Sequence, residues 1–461
     1  MTMPDALLRR ALELAEEFRG RDPHLPVFPR ITVEELRRAL GGPAPEHGEP
    51  AERVLNHLVR GAEPGIVASA GPRFFGFVIG GSLPVATAAD WMTSVWDQNG
   101  PIWSTSPAAS VVEEVAAQWL LEFLDLPRHC SVGFVTGGGT ANFTCLAAAR
   151  NHLLRQAGWD VEADGLQAAP RIHVLIGEEA HVTILTALRM VGLGERSAIR
   201  IKADDQGRML PGELRRALAP LSGPILVCTQ AGDVNSGHFD PFFDLIQAVR
   251  ERAGWMHVDG AFGLWARISE RLKPLTHGAE LADSWTVDAH KWLNVPYDCG
   301  LAITAHPQAH MAAMGSTAAY IIPGQGRRDN FSFVPEFSRR ARGFTVYAAL
   351  RHLGRSGMRD LVECCCARAR QMARLLAPQP GVAILNDVVL NQVLVRFRDD
   401  DDFTRAVIAR VQQDGTCWLG GTTWKGNAAM RISVSNWSTT ERDIELSANA
   451  ILNSARIEAP G

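Results

Sequence analysis

From Ser131 onward, short apolar runs alternate with stretches of helical period. The runs are SVGFV (131–135), HVLIG (173–177), AIRIK (198–202), PILVCTQ (224–230), WMHVDG (255–260), SWTVDAH (284–290) and GLAIT (300–304). Between them lie TANFTCLAAARNHLL, HVTILTALRMVGL, GELRRALAP and DPFFDLIQAVRERAG, whose apolar residues recur every three or four positions. Runs that are apolar without alternation fit strands covered on both faces, so this region reads as a mainly parallel sheet between helix layers, an α/β core.

The pattern changes on either side of that core. After Arg342 comes a long helical stretch, then GVAILND, LNQVLVRF, the helix FTRAVIARVQQDG, TCWLGGTTW, AMRISVSN and a last helix opening at Thr439 and Thr440, which predicts a smaller α+β unit. At the other end, Leu7, Ala11, Leu14 and Ala15 form one face of an amphipathic helix that needs a surface to cover, in the same chain or a partner subunit. GGPAPEHGEP (41–50) separates the helical ITVEELRRAL from the residues after Pro50. The expected organisation is a helical segment over 1–72, a large domain over 73–342 and a small domain over 343–461.

Composition narrows the function. The 461 residues carry 46 basic and 50 acidic side chains, a balance with no electrostatic footprint for nucleic acid or an anionic membrane. The charged N-terminus has no run like a signal peptide or membrane span. Eight scattered cysteines show no CxxC pair and no histidine at zinc-ligand spacing, which points to reduced, buried thiols, no metal and a cytoplasmic setting. A small-molecule substrate is the remaining expectation.

The chemistry is concentrated where the apolar runs end. His181 follows HVLIG, Asp259 ends WMHVD, and His290 and Lys291 close SWTVDAH; in an open α/β sheet all lie at the carboxyl edge, where ligands bind. Burial of Lys291 in DAHKWLNVPYDCG would favour the neutral amine that forms Schiff bases, although a lysine after a strand is more often on the surface. Asp259, before the small residues Gly260 and Ala261, could hold a cofactor ring nitrogen protonated, or could simply cap a strand. His181 could stack on that ring, or be structural. Gly137, Gly138 and Gly139, with Thr140, Ala141 and Asn142, form a turn into a helix start, whose amides and Thr140 hydroxyl suit a phosphate. The spacing is neither a dinucleotide fingerprint nor a Walker loop, so a monophosphate fits better.

Taken together, FFGF (74–77), SPAASVVEEV from Ser106, the Gly-rich turn, AHVTIL, HVDGAFG, HKW and RRARGF (339–344) resemble the group II pyridoxal-phosphate decarboxylases, the family of aromatic-amino-acid and glutamate decarboxylases. The resemblance runs from about Pro72 to Trp437. It implies an aspartate-aminotransferase-like fold (fold type I), pyridoxal 5'-phosphate (PLP) as cofactor, and a homodimer with active sites at the interface. It assigns the Schiff-base lysine to Lys291, the ring-nitrogen partner to Asp259, the stacking histidine to His181, and phosphate-side contacts to Gly138, Gly139 and His290; the residues themselves suggest Thr140 as a further phosphate donor and Ala261, with Gly260, as the surface for a flat ring. Tyr320 in STAAYIIPG matches a mobile-loop tyrosine that delivers a proton to the substrate carbon, a role His181 could also fill.

Departures from the family pattern concern the substrate and the phosphate end. Aromatic decarboxylases usually carry Asn where Asp288 stands; a carboxylate facing phosphate would be repelled, so Asp288 is expected to turn to another partner. A threonine-rich turn is replaced by AGDVNSG (231–237), leaving Asn235 as a cofactor contact. Beside Phe77, the substrate pocket has Val78, Asn99 and Pro101 in place of aromatic residues, and Arg431 matches a substrate-contacting arginine of glutamate decarboxylases. The implied reaction is decarboxylation of an L-amino acid to amine and carbon dioxide. Its alternatives are an aminotransferase, or an oxygen-using aldehyde synthase, in which phenylalanine commonly replaces the loop tyrosine.

Overall fold

The computed structural model describes residues 4–20, 25–316 and 326–456; Tyr320 lies outside them. The large sheet is built from β1 (Ser131–Val135), β2 (His173–Gly177), β3 (Ile199–Ile201), β4 (Ile225–Gln230), β5 (Trp255–Asp259), β6 (Ser284–Asp288) and β7 (Gly300–Thr304), in the order β1-β7-β6-β5-β4-β2-β3. Every neighbouring pair is parallel except those that β7 makes, antiparallel to both β1 and β6. The reason is the connection: residues 289–299 are too few for a crossover helix, so β7 must return alongside β6. That short connection carries Lys291.

Strands β1, β4, β5, β6 and β7 are buried along their whole length, as their unalternating apolar runs require. The helix Gly138–Gln156 packs across β5, β6 and β7 and presents Ala141, Cys145 and Ala148 to the sheet side, small residues that let it lie close. Trp265, Trp285 and Trp292 are fully buried in the main core. All eight cysteines are free, seven of them buried and Cys364 exposed.

A second sheet contains β8 (Val382–Ile384), β9 (Gln392–Phe397), β10 (Gly420–Trp424) and β11 (Asn427–Ser433), antiparallel throughout in the order β10-β11-β9-β8. The long helix Gly343–Leu376 joins the two regions, packing on helices Pro84–Trp96, Pro107–Phe123 and Glu441–Arg456. It is not one straight rod: Gly354 has φ 60°, a left-handed conformation that glycine adopts without steric cost and that breaks the helix there. Near the N-terminus, helices span Pro4–Arg19, Val33–Leu40 and Ala51–Ala62. The second begins in a reciprocal cap between Thr32 and Glu35. Leu8, Leu12, Val54 and Leu58 on these helices are exposed.

Candidate active site

β1 runs parallel to β6, because each is antiparallel to β7, so the turn after β1 opens on the same sheet edge as the ends of β2, β5 and β6. Gly137, Gly138, His181, Asp259, His290 and Lys291 therefore share one edge. The pKa of His181 is influenced by the charges of Asp259, Lys291, Arg431 and Asp288.

Asp259 is buried, 6 % exposed. Its described partners are neutral: Asn142 Nδ2 donates to Oδ2 at 3.1 Å and the Ala261 amide to Oδ1 at 3.2 Å. A buried carboxylate held by uncharged donors retains capacity for a cationic N–H. Behind it runs a directional hydrogen-bond chain. The Trp255 indole donates to Ser284 Oγ at 2.9 Å and that hydroxyl to His257 Nδ1 at 2.8 Å; His257 Nε2 then donates to Asn142 Oδ1 at 2.9 Å, joined there by the Thr286 hydroxyl at 2.7 Å. Burial lowers His257 to about 4, so its ring is neutral, as the chain needs.

Asn142 also reaches upward. Its Nδ2 lies 3.1 Å from Thr183 Oγ1, and that hydroxyl donates to His181 Nδ1 at 2.8 Å. The Thr183 amide donates to the same nitrogen, so His181 caps the helix Val182–Met190 and its proton is on Nε2. Desolvation, the largest influence, lowers the pKa of His181.

At the other end of the site, Lys291 Nζ stands 3.0 Å from Asp288 Oδ2. The partner expected for Asp288 is thus Lys291 itself. His290 Nδ1 accepts from the Cys299 amide at 3.2 Å, leaving its proton on Nε2, 3.6 Å from Asp288 Oδ1. Its ring stacks on the exposed Tyr297, and burial pushes His290 down. Side chains are excluded from two positions here. A Cβ on Gly138 would lie 2.9 Å from Asp288 Oδ2, and one on Gly80 would lie 1.8 Å from the Lys291 carbonyl oxygen. A Cβ on Gly139 would meet nothing nearer than 3.9 Å, so the helix start is open beside it. Thr140 Oγ1 shares a hydrogen bond with Thr136 Oγ1 at 2.8 Å.

The remaining residues singled out in the sequence lie further out. Asn235 sits in a turn held by Asp233, and its Oδ1 accepts from Thr422 Oγ1 on β10 at 2.9 Å. Arg431 on β11 is influenced by Asp233; burial lowers its pKa, and its Nε has no hydrogen-bond partner among the described residues. Phe77 is exposed and stacks on Trp418, whereas Val78 is fully buried in the main core. Asn99 Oδ1 accepts from the amide of Arg339, the first residue of RRARGF, at 3.0 Å, and the Pro101 carbonyl accepts from the amide of Phe331, in the segment that precedes it, at 3.0 Å. Arg339 in turn makes a two-pronged, fully buried pair with Glu113 at 2.7 and 2.8 Å.

Thr183, His257 and Thr286 were not among the residues expected from sequence, and Asn142 was named only as part of the Gly-rich turn, not as a partner of Asp259. For His257 the signal was present: two residues before Asp259 on a strand, it must share that residue's face. A second signal was the scarcity of lysine. The chain has only Lys202, Lys273, Lys291 and Lys425; Lys273 pairs with Asp125 and Lys425 with Glu179 nearer the surface, and Lys291 alone meets a buried carboxylate. Among the described residues no cluster of three potential metal ligands occurs, and no helix is long and apolar enough to cross a membrane.

Comparison with known proteins bears on this arrangement. A model of the pyridoxal-dependent decarboxylase conserved domain matches residues 34–398. The chain is 27 % identical over 442 residues to 4-hydroxyphenylacetaldehyde synthase of Rhodiola rosea, covering 91 % of this chain and 88 % of that protein. It is 25 % identical over 438 residues to aromatic-L-amino-acid decarboxylase of Bacillus atrophaeus, covering 91 % and 89 %. Its fold matches the crystal structure of Oryza sativa TDC with PLP and tryptamine at a TM-score of 0.91 and 22 % identity, over 99 % of both chains.

Proposed function

Because the chain belongs to the pyridoxal-dependent decarboxylase family, whose cofactor is PLP, we propose that it releases the carboxylate of an L-amino acid as carbon dioxide and yields the amine. The observation that carries this reading is Asp259: a buried carboxylate with only neutral described partners, on the same edge as Lys291 and His181. The residues present fit the cofactor. An open helix start at Gly139 suits its phosphate, Lys291 its aldehyde and Asp259 its ring nitrogen, with Asp288 the one discordant charge.

When bound, PLP supplies a conjugated ring that accepts the electron pair left by the departing carboxylate. Asp259 would hold the ring-nitrogen proton in place, its carboxylate aimed by the Asn142 and Ala261 donors. His181, fixed by Thr183, would cover the cofactor ring, and Ala261 would lie against it. Lys291 Nζ would hold the cofactor through its aldehyde. Gly138, Gly139, Thr140 and the Nε2–H of His290 serve the phosphate end. Tyr320 delivers a proton to the substrate α-carbon, with His181 Nε2–H the described alternative. On the substrate side we assign Phe77, Asn99, Pro101 and Arg431, with Val78 supporting Phe77 from the core and Asn235 holding the turn that faces Arg431.

We further infer a cytoplasmic homodimer of a 73–342 large domain and a 343–461 small domain, with the 1–72 segment on the partner. The exposed Leu8, Leu12, Val54 and Leu58 and eight free cysteines support it. The test of function is a panel of L-amino acids incubated with PLP-loaded protein, scored separately for carbon dioxide, amine, keto acid and peroxide. Stoichiometric carbon dioxide and amine is the expected result. Keto acid without carbon dioxide would replace the reading by transamination, and aldehyde with peroxide by oxidative decarboxylation.

A further inference from the structure

Asp288 is the charged group of this cluster that the proposed reaction does not use. It ends β6 and its side chain is 3 % exposed. Oδ2 contacts Lys291 Nζ at 3.0 Å and lies against the start of the helix Gly138–Gln156. Oδ1 is buried with no hydrogen-bond partner among the described residues, His290 Nε2 being 3.6 Å away. A carboxylate so enclosed, with one oxygen unmet, depends on its counter-ion. That counter-ion is the residue assigned above to capture the cofactor, and capture needs a neutral amine.

We propose that Asp288 holds Lys291 as an ammonium in the cofactor-free protein and must release it before the cofactor is captured, so that this pair governs the rate of cofactor loading. The inference rests on the reading of Lys291 as the anchoring lysine. In capture, Nζ sheds one proton to solvent and its lone pair forms a bond to the aldehyde carbon. The two remaining N–H protons leave with the aldehyde oxygen as water, and C=N replaces C=O; no oxidant or reductant takes part. Only the first event is opposed by Asp288. Its carboxylate is a positioning group: it touches the lysine and holds it away from reaction.

The experiment uses cofactor-stripped full-length protein mixed with PLP or with pyridoxal, which lacks the phosphate. Covalent capture is followed by absorbance, and the site is fixed with borohydride and located by mass spectrometry. In parallel, the four lysines are labelled with an amine-reactive reagent, with exposed Lys202 as internal reference. Asp288→Asn should capture both aldehydes about tenfold faster than wild type, the low end of couplings between close charge pairs. Labelling of Lys291 relative to Lys202 should rise by a similar factor, a readout that requires no turnover. If Asp288→Asn does not fold, Asp288→Ser carries the same expectation. Capture rates within about twofold of wild type, well below such couplings, would overturn the proposal. So would acceleration with PLP alone, which would mean that the carboxylate repels phosphate and does not restrain the lysine. Borohydride fixation at a lysine other than Lys291 would instead remove the reading on which the proposal rests.

Discussion

Asn142 touches more of the candidate site than any other residue expected from sequence, and exchanging its charge pattern with that of Asp259 tests the arrangement. Asn142→Asp changes little in shape but puts a carboxylate oxygen where Nδ2 now donates to Asp259 Oδ2 at 3.1 Å. Two unit charges at that separation repel by about 5 kcal/mol at an effective dielectric of about 20. The lost donor to Thr183 adds to this, and local relaxation subtracts from it. The single variant should therefore lose about 3 to 5 kcal/mol of stability. Adding Asp259→Asn moves the amide to the other side of the same contact: residue 259 now donates to residue 142, and the Ala261 amide keeps its acceptor. Urea unfolding of the double variant should recover at least about 3 kcal/mol of that loss, the coupling expected between adjacent buried groups. Turnover should not follow. An amide at 259 cannot hold a ring nitrogen protonated, so the double variant should remain at least about 10²-fold below wild type, the usual cost of removing a preorganised electrostatic partner. A single variant destabilised by less than about 1 kcal/mol would refute the proximity of the two groups. A double variant with near-normal turnover would refute the role of the Asp259 charge.

Tyr320→Phe should still release carbon dioxide but yield less amine and more aldehyde, ammonia and peroxide under air; amine at the wild-type rate without peroxide would transfer the proton-donor role to His181. Glu113→Gln leaves the buried Arg339 guanidinium without its counter-charge and should cost about 3 kcal/mol or more in urea unfolding, tested against a partly exposed control pair, Glu213→Gln beside the exposed Arg216. His257 is lowered from 6.5 to about 4, so its contribution to stability is complete above pH 6.5 and is lost as pH falls toward 4. Wild type should then lose up to about 3 kcal/mol more than His257→Gln over that window, and parallel pH–stability curves would show that the buried ring does not titrate there.

The sequence by itself determined the α/β class and the alternation of strands and helices, and its family resemblance implied the aspartate-aminotransferase-like fold type I. Apolar periodicity and helix caps are local properties, readable residue by residue. It also placed His181, Asp259, His290 and Lys291 on one edge, because each follows an apolar run and strand ends need no knowledge of register. What tertiary structure decided are the partners. Asp259 finds Asn142 from 117 residues away, and Thr286 comes opposite Asp259 only through the β5–β6 register. Neither is encoded in any short window. The break at Gly354 within one helical pattern, the burial of Val78 beside the exposed Phe77, and the tie between Asn235 and Thr422 are of the same kind. Asp288 shows the boundary most clearly. The sequence marked it as a charge out of place; only folding the 289–299 connection back along β6 gave its carboxylate Lys291 to hold, because a buried charge takes its partner from whatever packing brings within contact.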